Sequence, residues 1–236
     1  MRTLVVGDTH GAYQALRQAL TAAAYDPAAD QLVVLGDTLD GWSEAPAILD
    51  YYLSIQAAGH NLVYVLGNHD VAFLNWFDDD CGEHPLARYG GAVTTFVYAT
   101  ARLPDLGRHY EWLTAQLPYY IDEANRCYVH AGWNTAHAFH DPSQLAQQEY
   151  WWNRSFWQGV WEGHDLGQQF TDVFIGHTPT LNFEPYADKP LTRHNVHNLD
   201  TGAAFSGRVT VMDAETKEFW QSQKCQDLYP RERGRN

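Results

Sequence analysis

Asp8, His10, Asp37, Asn68, His69, His130 and His177 are the residues best suited to hold a cation or move a proton, and each follows a short apolar run. Apart from His69, they form a set of oxygen and imidazole donors without a thiolate. Such a set favours Mn, Fe, Zn or similar ions over a structural zinc site. A carboxylate between two ions can bridge them. Ions roughly 3.5–4 Å apart clamp phosphoryl oxygens and lower the pKa of bound water toward about 7. In-line attack by that water then needs a proton at the leaving oxygen. His69, next to Asn68, is placed to give it, and a carboxylate on its other nitrogen would fix its tautomer.

The elements that must position these residues can be read from the apolar runs. Leu4-Val5-Val6 leads into Gly7-Asp8-Thr9-His10-Gly11, Leu32-Val33-Val34-Leu35 into Gly36-Asp37-Thr38-Leu39-Asp40, and Leu62-Val63-Tyr64-Val65-Leu66 into Gly67-Asn68-His69-Asp70. Unbroken apolar runs of this length suit strands buried on both faces. Between them Tyr13, Leu16 and Leu20, then Ile48, Tyr51/Tyr52 and Ile55, fall on single helix faces, and Pro46 and Gly59 bound the second helix. A βαβαβ unit of parallel strands follows, and ligands of such sheets bind past the carboxyl ends of the strands. A Gly-Asp after a strand is commonly a turn or cap, and Asn68-His69-Asp70 alone could cap a helix. The weight lies in five strand-end clusters, each bringing a suitable donor.

Beyond Asp70, Asn75–His84 is expected to be a solvated acidic loop and Tyr89-Gly90-Gly91 a turn. Ala92–Leu103 and Leu106–Leu117 are expected helices, the latter with Trp112 and Leu113 facing inward. Tyr119–Asp122 and Arg126–Val129 form a hairpin pattern whose second strand runs into His130. Residues 133–170, rich in Trp, form a second helical insertion. Strands are expected at Asp172–Ile175, ahead of His177, at Val196–Leu199, ahead of Asp200, and in a closing hairpin of Val209–Met212 with Phe219-Trp220. Arg231–Asn236 lacks an apolar anchor and is expected to fray. His60, His84, His109 and His164 are expected on the surface. His137, His140, His194 and His197 lie near the clusters, with structural roles favoured over substrate contact.

The chain has 236 residues, a formal charge of −14 and 45% hydrophobic residues. This fits one α/β domain, 1–236, with helical cap insertions at about 71–118 and 133–170. The charge argues against a nucleic-acid polymer as partner. No apolar run approaches the roughly 20 residues of a membrane span. Met1-Arg2 leaves no room for a signal peptide ahead of the first strand, and Cys81, Cys127 and Cys225 read as reduced thiols, so a cytoplasmic location is expected. Cys127 is expected in the core.

These clusters, in this order, resemble the motifs of the calcineurin-like metallophosphoesterases, and within them the phosphoprotein phosphatases of small bacterial and phage type. Tyr89-Gly90-Gly91 and Leu199-Asp200-Thr201-Gly202 resemble two further bacterial features, and Trp152-Asn153-Arg154 resembles the segment that carries a phosphate-binding arginine. The resemblance spans roughly residues 3 to 213. It implies an α/β fold, a β-sandwich flanked by helices in four layers, αββα. It implies two divalent ions, Mn foremost with Fe, Zn, Ni or Co as alternatives. Asp8 and His10 would hold the first ion, Asp37 would bridge, and Asn68, His130 and His177 would hold the second. His69 would be the general acid, paired with Asp40, and Arg154 and Asn68 would bind substrate.

The implied function is a metal-dependent phosphatase hydrolysing phosphate monoesters, phosphoprotein Ser/Thr included, by attack of a metal-activated water. One departure matters: the family's second motif continues Asp-Arg-Gly, whereas here Asp40 is followed by Gly41-Trp42. The missing arginine brings forward an alternative, a hydrolase of dinucleoside polyphosphates or small phosphodiesters. Trp42 and Trp133 could stack a nucleobase, although packing of the cap is the favoured expectation for both. An inactive scaffold protein is a third possibility, against which the intact donor set speaks.

Overall fold

The computed structural model describes residues 1–100, 103–136, 139, 144–183 and 188–236. The first half is β1 (Thr3–Val6), α1 (Tyr13–Ala22), β2 (Gln31–Val34), α2 (Ala45–Ala57), β3 (Leu62–Tyr64) and α3 (Asn68–Asp78), followed by α4 (Gly91–Thr100) and α5 (Leu103–Thr114). The second half is β4 (Tyr119–Ile121), β5 (Arg126–Val129), α6 (Gln144–Trp152), α7 (Arg154–Trp161), β6 (Asp172–Ile175), β7 (Leu191–Arg193), β8 (Val196–Asn198), β9 (Thr210–Asp213), β10 (Phe219–Gln221) and the short α8 (Cys225–Leu228).

Two mixed five-stranded sheets result, in the orders β10-β9-β1-β2-β3 and β4-β5-β6-β8-β7. Each has a parallel trio: β1, β2 and β3 in the first, β5, β6 and β8 in the second. Side chains alternate along these strands, and this builds a layered core. Leu4, Val6, Leu32 and Val34 pack with Leu16, Leu20, Ile48 and Tyr52 of α1 and α2. Val5, Val33, Met212, Tyr128, Phe174 and Leu199 fill the space between the sheets. Cys127, Val129, Val173 and Ile175 pack against Phe156, Trp157 and Val160 of α7. The fold is therefore the expected helix-flanked pair of sheets.

Several local expectations change. Helix α3 runs to Asp78, so the acidic stretch becomes loop only from Asp79. Helix α5 stops at Thr114, and Leu117 instead bridges Val65 at the edge of the first sheet. Strand β7 went unforeseen because its Thr192 and Arg193 are exposed at a sheet edge. His84 and His109 are buried, against expectation. His109 sits between the Tyr98 hydroxyl and the Asp50 carboxylate. His197 is a structural residue bonded to Thr192 and Asp172, and His164 and His194 are exposed. His137 and His140 lie outside the described residues. Cys127 is in the core, where burial pushes its thiol pKa up. Among the described residues, no helix is long and apolar enough to cross a membrane.

The final segment is anchored rather than frayed. Tyr229 stacks on Trp42 at 5.1 Å, Glu232 accepts from the Ser43 N–H and hydroxyl at 2.8 Å each, and Arg235 N–H donates to Ala204 O at 2.8 Å. Beyond Tyr229 its anchors are the Glu232 carboxylate and the Arg235 N–H, which a search for apolar residues overlooks.

Phe174 is fully buried between the sheets, stacked on Tyr128 at 5.1 Å and on His197 at 4.9 Å. Phe174→Ala should lower unfolding free energy by about 3–5 kcal/mol, the usual cost of a phenylalanine-sized cavity. Chemical denaturation of the metal-free protein measures it, and a loss under about 1 kcal/mol would mean that the space collapses.

Candidate metal centre

The site begins with three chain reversals in the first sheet. Beyond β1 the chain turns through His10 and beyond β2 through Asp37 and Asp40, whose φ values of 45°, 50° and 62° lie in the left-handed region, uncommon for such residues and a frequent mark of functional sites; beyond β3 it enters α3 at Asn68. The Asp70 carboxylate braces two of these ends. It accepts the N–H groups of Asp37 at 2.9 Å, Thr38 at 3.1 Å and Gly67 at 3.0 Å, and the Tyr64 hydroxyl at 2.9 Å. The His69 N–H donates to Asp37 Oδ1 at 2.9 Å, so the other carboxylate oxygen of Asp37 is turned into the site.

Asp37 Oδ2 stands between two groups of donors. His10 Nε2 lies 3.6 Å from it and 3.8 Å from Asp8 Oδ2. On the other side His130 Nε2 is 3.3 Å from Asp37 Oδ2 and 3.1 Å from Asn68 Oδ1, which is 2.8 Å from His177 Nδ1. Backbone carbonyls set two of the tautomers. His10 Nδ1 faces the Leu39 and Asp40 carbonyls at 2.8 Å each, and His130 Nδ1 faces the Leu35 carbonyl at 2.7 Å. Each Nδ1 then carries the proton, and Nε2 keeps its lone pair for the site.

The two sheets meet here directly. His177 N–H donates to Asp8 at 3.2 and 3.3 Å across the gap. A Cβ at residue 176 would sit 2.0 Å from Asp8 Oδ1, so only glycine allows that approach. All six expected donors thus converge.

His69 and Asp40 are also together: Nδ1 of His69 is 2.9 Å from Asp40 Oδ2. The sequence did not point to the groups holding Asp40. The Thr94 hydroxyl of α4 donates to its Oδ1, and Asp40 N–H returns a bond to that hydroxyl at 3.1 Å. His84, accepting the Leu86 N–H at Nδ1, turns Nε2 toward Asp40 Oδ2 at 3.6 Å. Neither residue lies in a strand-end cluster, so spacing gave no signal for them.

Arg154, at the start of α7, donates from Nη1 to His177 O at 2.9 Å and to Thr178 Oγ1 at 3.3 Å. With His10, His177 and Asp200 it lines a cavity of about 1040 Å³, whose apolar side includes Leu181, Phe183 and Phe205. Asp200 is a further acidic group of the site, singled out in the sequence only as part of a motif. Trp42 and Trp133 cannot stack a base. Trp42 is buried under Tyr229 with Nε1–H on Ala203 O at 2.7 Å, and Trp133 is buried among Phe139, Phe156 and Phe170.

The site is crowded with acid. Burial, then the charge of Asp200, pushes the Asp8 carboxyl well above the usual range, and burial lifts Asp200 itself to about 6. Asp37 is buried too, yet charge on His130, His69 and His10 holds it well below that range. Burial lowers His10 to about 3. His130 is lifted to about 9, because Asp37 outweighs the same effect. Neighbouring carboxylates that resist ionising together are relieved by cations between them. Two donor groups, His10, Asp37 and His69, and Asp37, His130 and His177, have their ligating atoms within 4.8 Å of one another. Together with Asp8 and Asn68, these residues fit divalent metal ions.

Comparison with known proteins agrees with this geometry. The chain is 40% identical over 74 residues to the symmetrical bis(5′-nucleosyl)-tetraphosphatase of Edwardsiella ictaluri, covering 31% of this chain and 25% of that one. It is 32% identical over 132 residues to that of Dechloromonas aromatica, covering 56% and 44%. The chain thus spans less than half the length of these curated relatives. A solved structure described as a proposed diadenosine tetraphosphatase superposes with a TM-score of 0.67 at 15% identity, covering 93% of this chain and 92% of that one, a likeness of fold. The calcineurin-like phosphoesterase model matches residues 1–207, the stretch that carries every one of these strand-end donors, and the chain belongs to that family.

Proposed function

We propose that the chain hydrolyses dinucleoside polyphosphates at a phosphoanhydride bond, using divalent metal ions. The observation that carries this reading is the cavity before the donors. Its volume of about 1040 Å³, its guanidinium and its apolar wall of Leu181, Phe183 and Phe205 suit a nucleotide-sized ligand better than a lone phosphate. Similarity to proteins named symmetrical bis(5′-nucleosyl)-tetraphosphatases supports the same substrate class. Monoester hydrolysis, the foremost expectation from the sequence, becomes the lesser activity.

Asp8, His10 and Asp37 would hold one ion, and Asp37, Asn68, His130 and His177 the other, with Mn foremost and Fe, Zn, Ni or Co as alternatives. Bound there, such ions supply Lewis acidity toward phosphoryl oxygens and bring the pKa of water toward about 7. The protein's own groups do the rest. Asp40 accepts a hydrogen bond from the Nδ1–H of His69 and fixes the ring's orientation, which turns Nε2 to the departing phosphate oxygen as the proton donor. Thr94 and His84 keep Asp40 in place. Asn68 turns Oδ1 toward the histidines, which leaves Nδ2 to donate to a phosphoryl oxygen. Arg154 neutralises phosphate charge with a planar fork. A symmetrical cut of a tetraphosphate then yields two nucleoside diphosphates.

With Mn-loaded protein, diadenosine tetraphosphate should give ADP as the only nucleotide product, at a kcat/KM at least about tenfold above that for p-nitrophenyl phosphate, a margin of about 1.4 kcal/mol. Turnover of the monoester alone would return the chain to the monoesterase reading. His69→Asn should retain its metal, checked by elemental analysis, while turnover falls by about 10²–10⁴. The loss should be smaller for aryl phosphates, whose leaving groups need little protonation, and an equal loss for poor and good leaving groups would rule out proton donation. Asp37→Asn should bind about one ion or fewer where the wild type binds about two, since a bridging carboxylate serves both.

A further inference from the structure

We propose that Arg235 is a second phosphate-binding arginine, carried into the site by the segment 229–236 and taking the place of the side chain that Gly41 lacks. The proposal deepens the phosphoanhydride reading and rests on it. It begins at Gly41, where a Cβ would lie 2.6 Å from His10 O and 2.9 Å from His10 Cβ. No side chain fits there without moving His10, so an arginine for this side of the site must come from elsewhere.

Arg235 lines the same cavity as Arg154, His10, His177 and Asp200. It comes from the side of His10 and Asp40, whereas Arg154 comes from the start of α7, against the His177 loop. Its alkyl stem fills the space over the loop at Gly90. A Cβ on Gly90 would meet Arg235 Cγ at 2.7 Å and the backbone carbon of Asp40 at 3.2 Å. The guanidinium lies over the Phe205 ring at 5.4 Å from its centroid.

This arginine is uncommitted. Its Nε is buried without a hydrogen-bond partner, and among the described residues no carboxylate lies within ion-pairing distance, 4.0 Å, of it. By contrast Arg126 pairs with Asp122 and Glu215, and Arg208 with Asp188. A buried donor without an acceptor is costly, and a phosphoryl oxygen in the cavity would supply one. The segment is also built to hold it. Glu232 is fixed to Ser43 at 2.8 Å, Gly234 packs on Trp42, and Arg235 N–H is bonded to Ala204 O at 2.8 Å. Two forks reaching one cavity from two sides suit a ligand with more than one phosphoryl group, because each fork can take its own pair of oxygens.

The test compares the wild type with Arg235→Gln and Arg235→Lys, all Mn-loaded. Inorganic phosphate affinity is measured by titration calorimetry, KM and kcat with diadenosine tetraphosphate, and folding by Tm. Arg235→Gln should weaken phosphate binding and raise KM by about tenfold to a hundredfold, the range for losing a charge-assisted bond. Arg235→Lys should fall between the two, and Tm should stay within a few degrees. Glu232→Ala, which frees the segment but keeps the guanidinium, should weaken phosphate in the same direction and by less. Phosphate affinity is readable whichever substrate is turned over, so a wild type inactive on the tetraphosphate would sink the substrate class and leave Arg235 still judged. Phosphate affinity within twofold of wild type in Arg235→Gln would overturn the proposal. So would equal Tm losses in both Arg235 variants with phosphate affinity unaltered, which would make Arg235 a structural prop.

Discussion

The Asp70 carboxylate holds the ends of β2 and β3 in one piece. Its acceptors are filled by the N–H groups of Asp37, Thr38 and Gly67 and by the Tyr64 hydroxyl. It is a buried acid whose pKa burial and the nearby Asp37 charge raise to about 6. The Gly67 N–H and the Tyr64 hydroxyl oppose the rise, as expected of donors aimed at a carboxylate. In return it fixes the left-handed turn at Asp37 and the first turn of α3, which carries Asn68 and His69. The position of the shared oxygen of Asp37, and through it the spacing of both donor groups, follows from this one brace.

Much of this was legible because strand ends are legible. An apolar run of three to five residues, stopped by Gly or a polar donor, fixes where the chain leaves a sheet, and parallel order fixes which ends meet. Asp8, His10, Asp37, Asn68, His130 and His177 could therefore be named from spacing. Thr94 and His84 could not. They reach Asp40 from α4 and from the loop before it, through contacts across 54 and 44 positions of sequence that no periodicity encodes. Arg235 was missed for a related reason. Past Tyr229, a stretch held by Glu232, a glycine and one N–H has no apolar pattern to announce it. The buried places of Trp42 and Trp133 reflect how readily large aromatic rings near a site serve as its foundation.

Charge follows the same logic at two scales. The chain as a whole is strongly acidic, and its buried site adds Asp8, Asp37, Asp40, Asp70 and Asp200. An anionic substrate can approach only where fixed cations offset this locally. Arg154 is such a cation, anchored by its contact with the His177 carbonyl. The protein thus keeps long-range repulsion for polyanions in general and reserves attraction for one cavity.

The two halves of the donor set belong to different sheets. Asp8, His10, Asp37 and Asn68 leave the first, His130 and His177 leave the second, and Leu199 and Met212 are among the residues packed between them. Anything gripping both halves becomes a clasp on the sandwich, and occupancy and sheet docking are then linked thermodynamic variables. Such linkage is reciprocal. A loosened contact between the sheets weakens the grip on the cation, and a chelator makes the sheets easier to part. Ion affinity in this fold is therefore a property of the whole interior between the layers, set as much by hydrocarbon packing as by the ligating atoms.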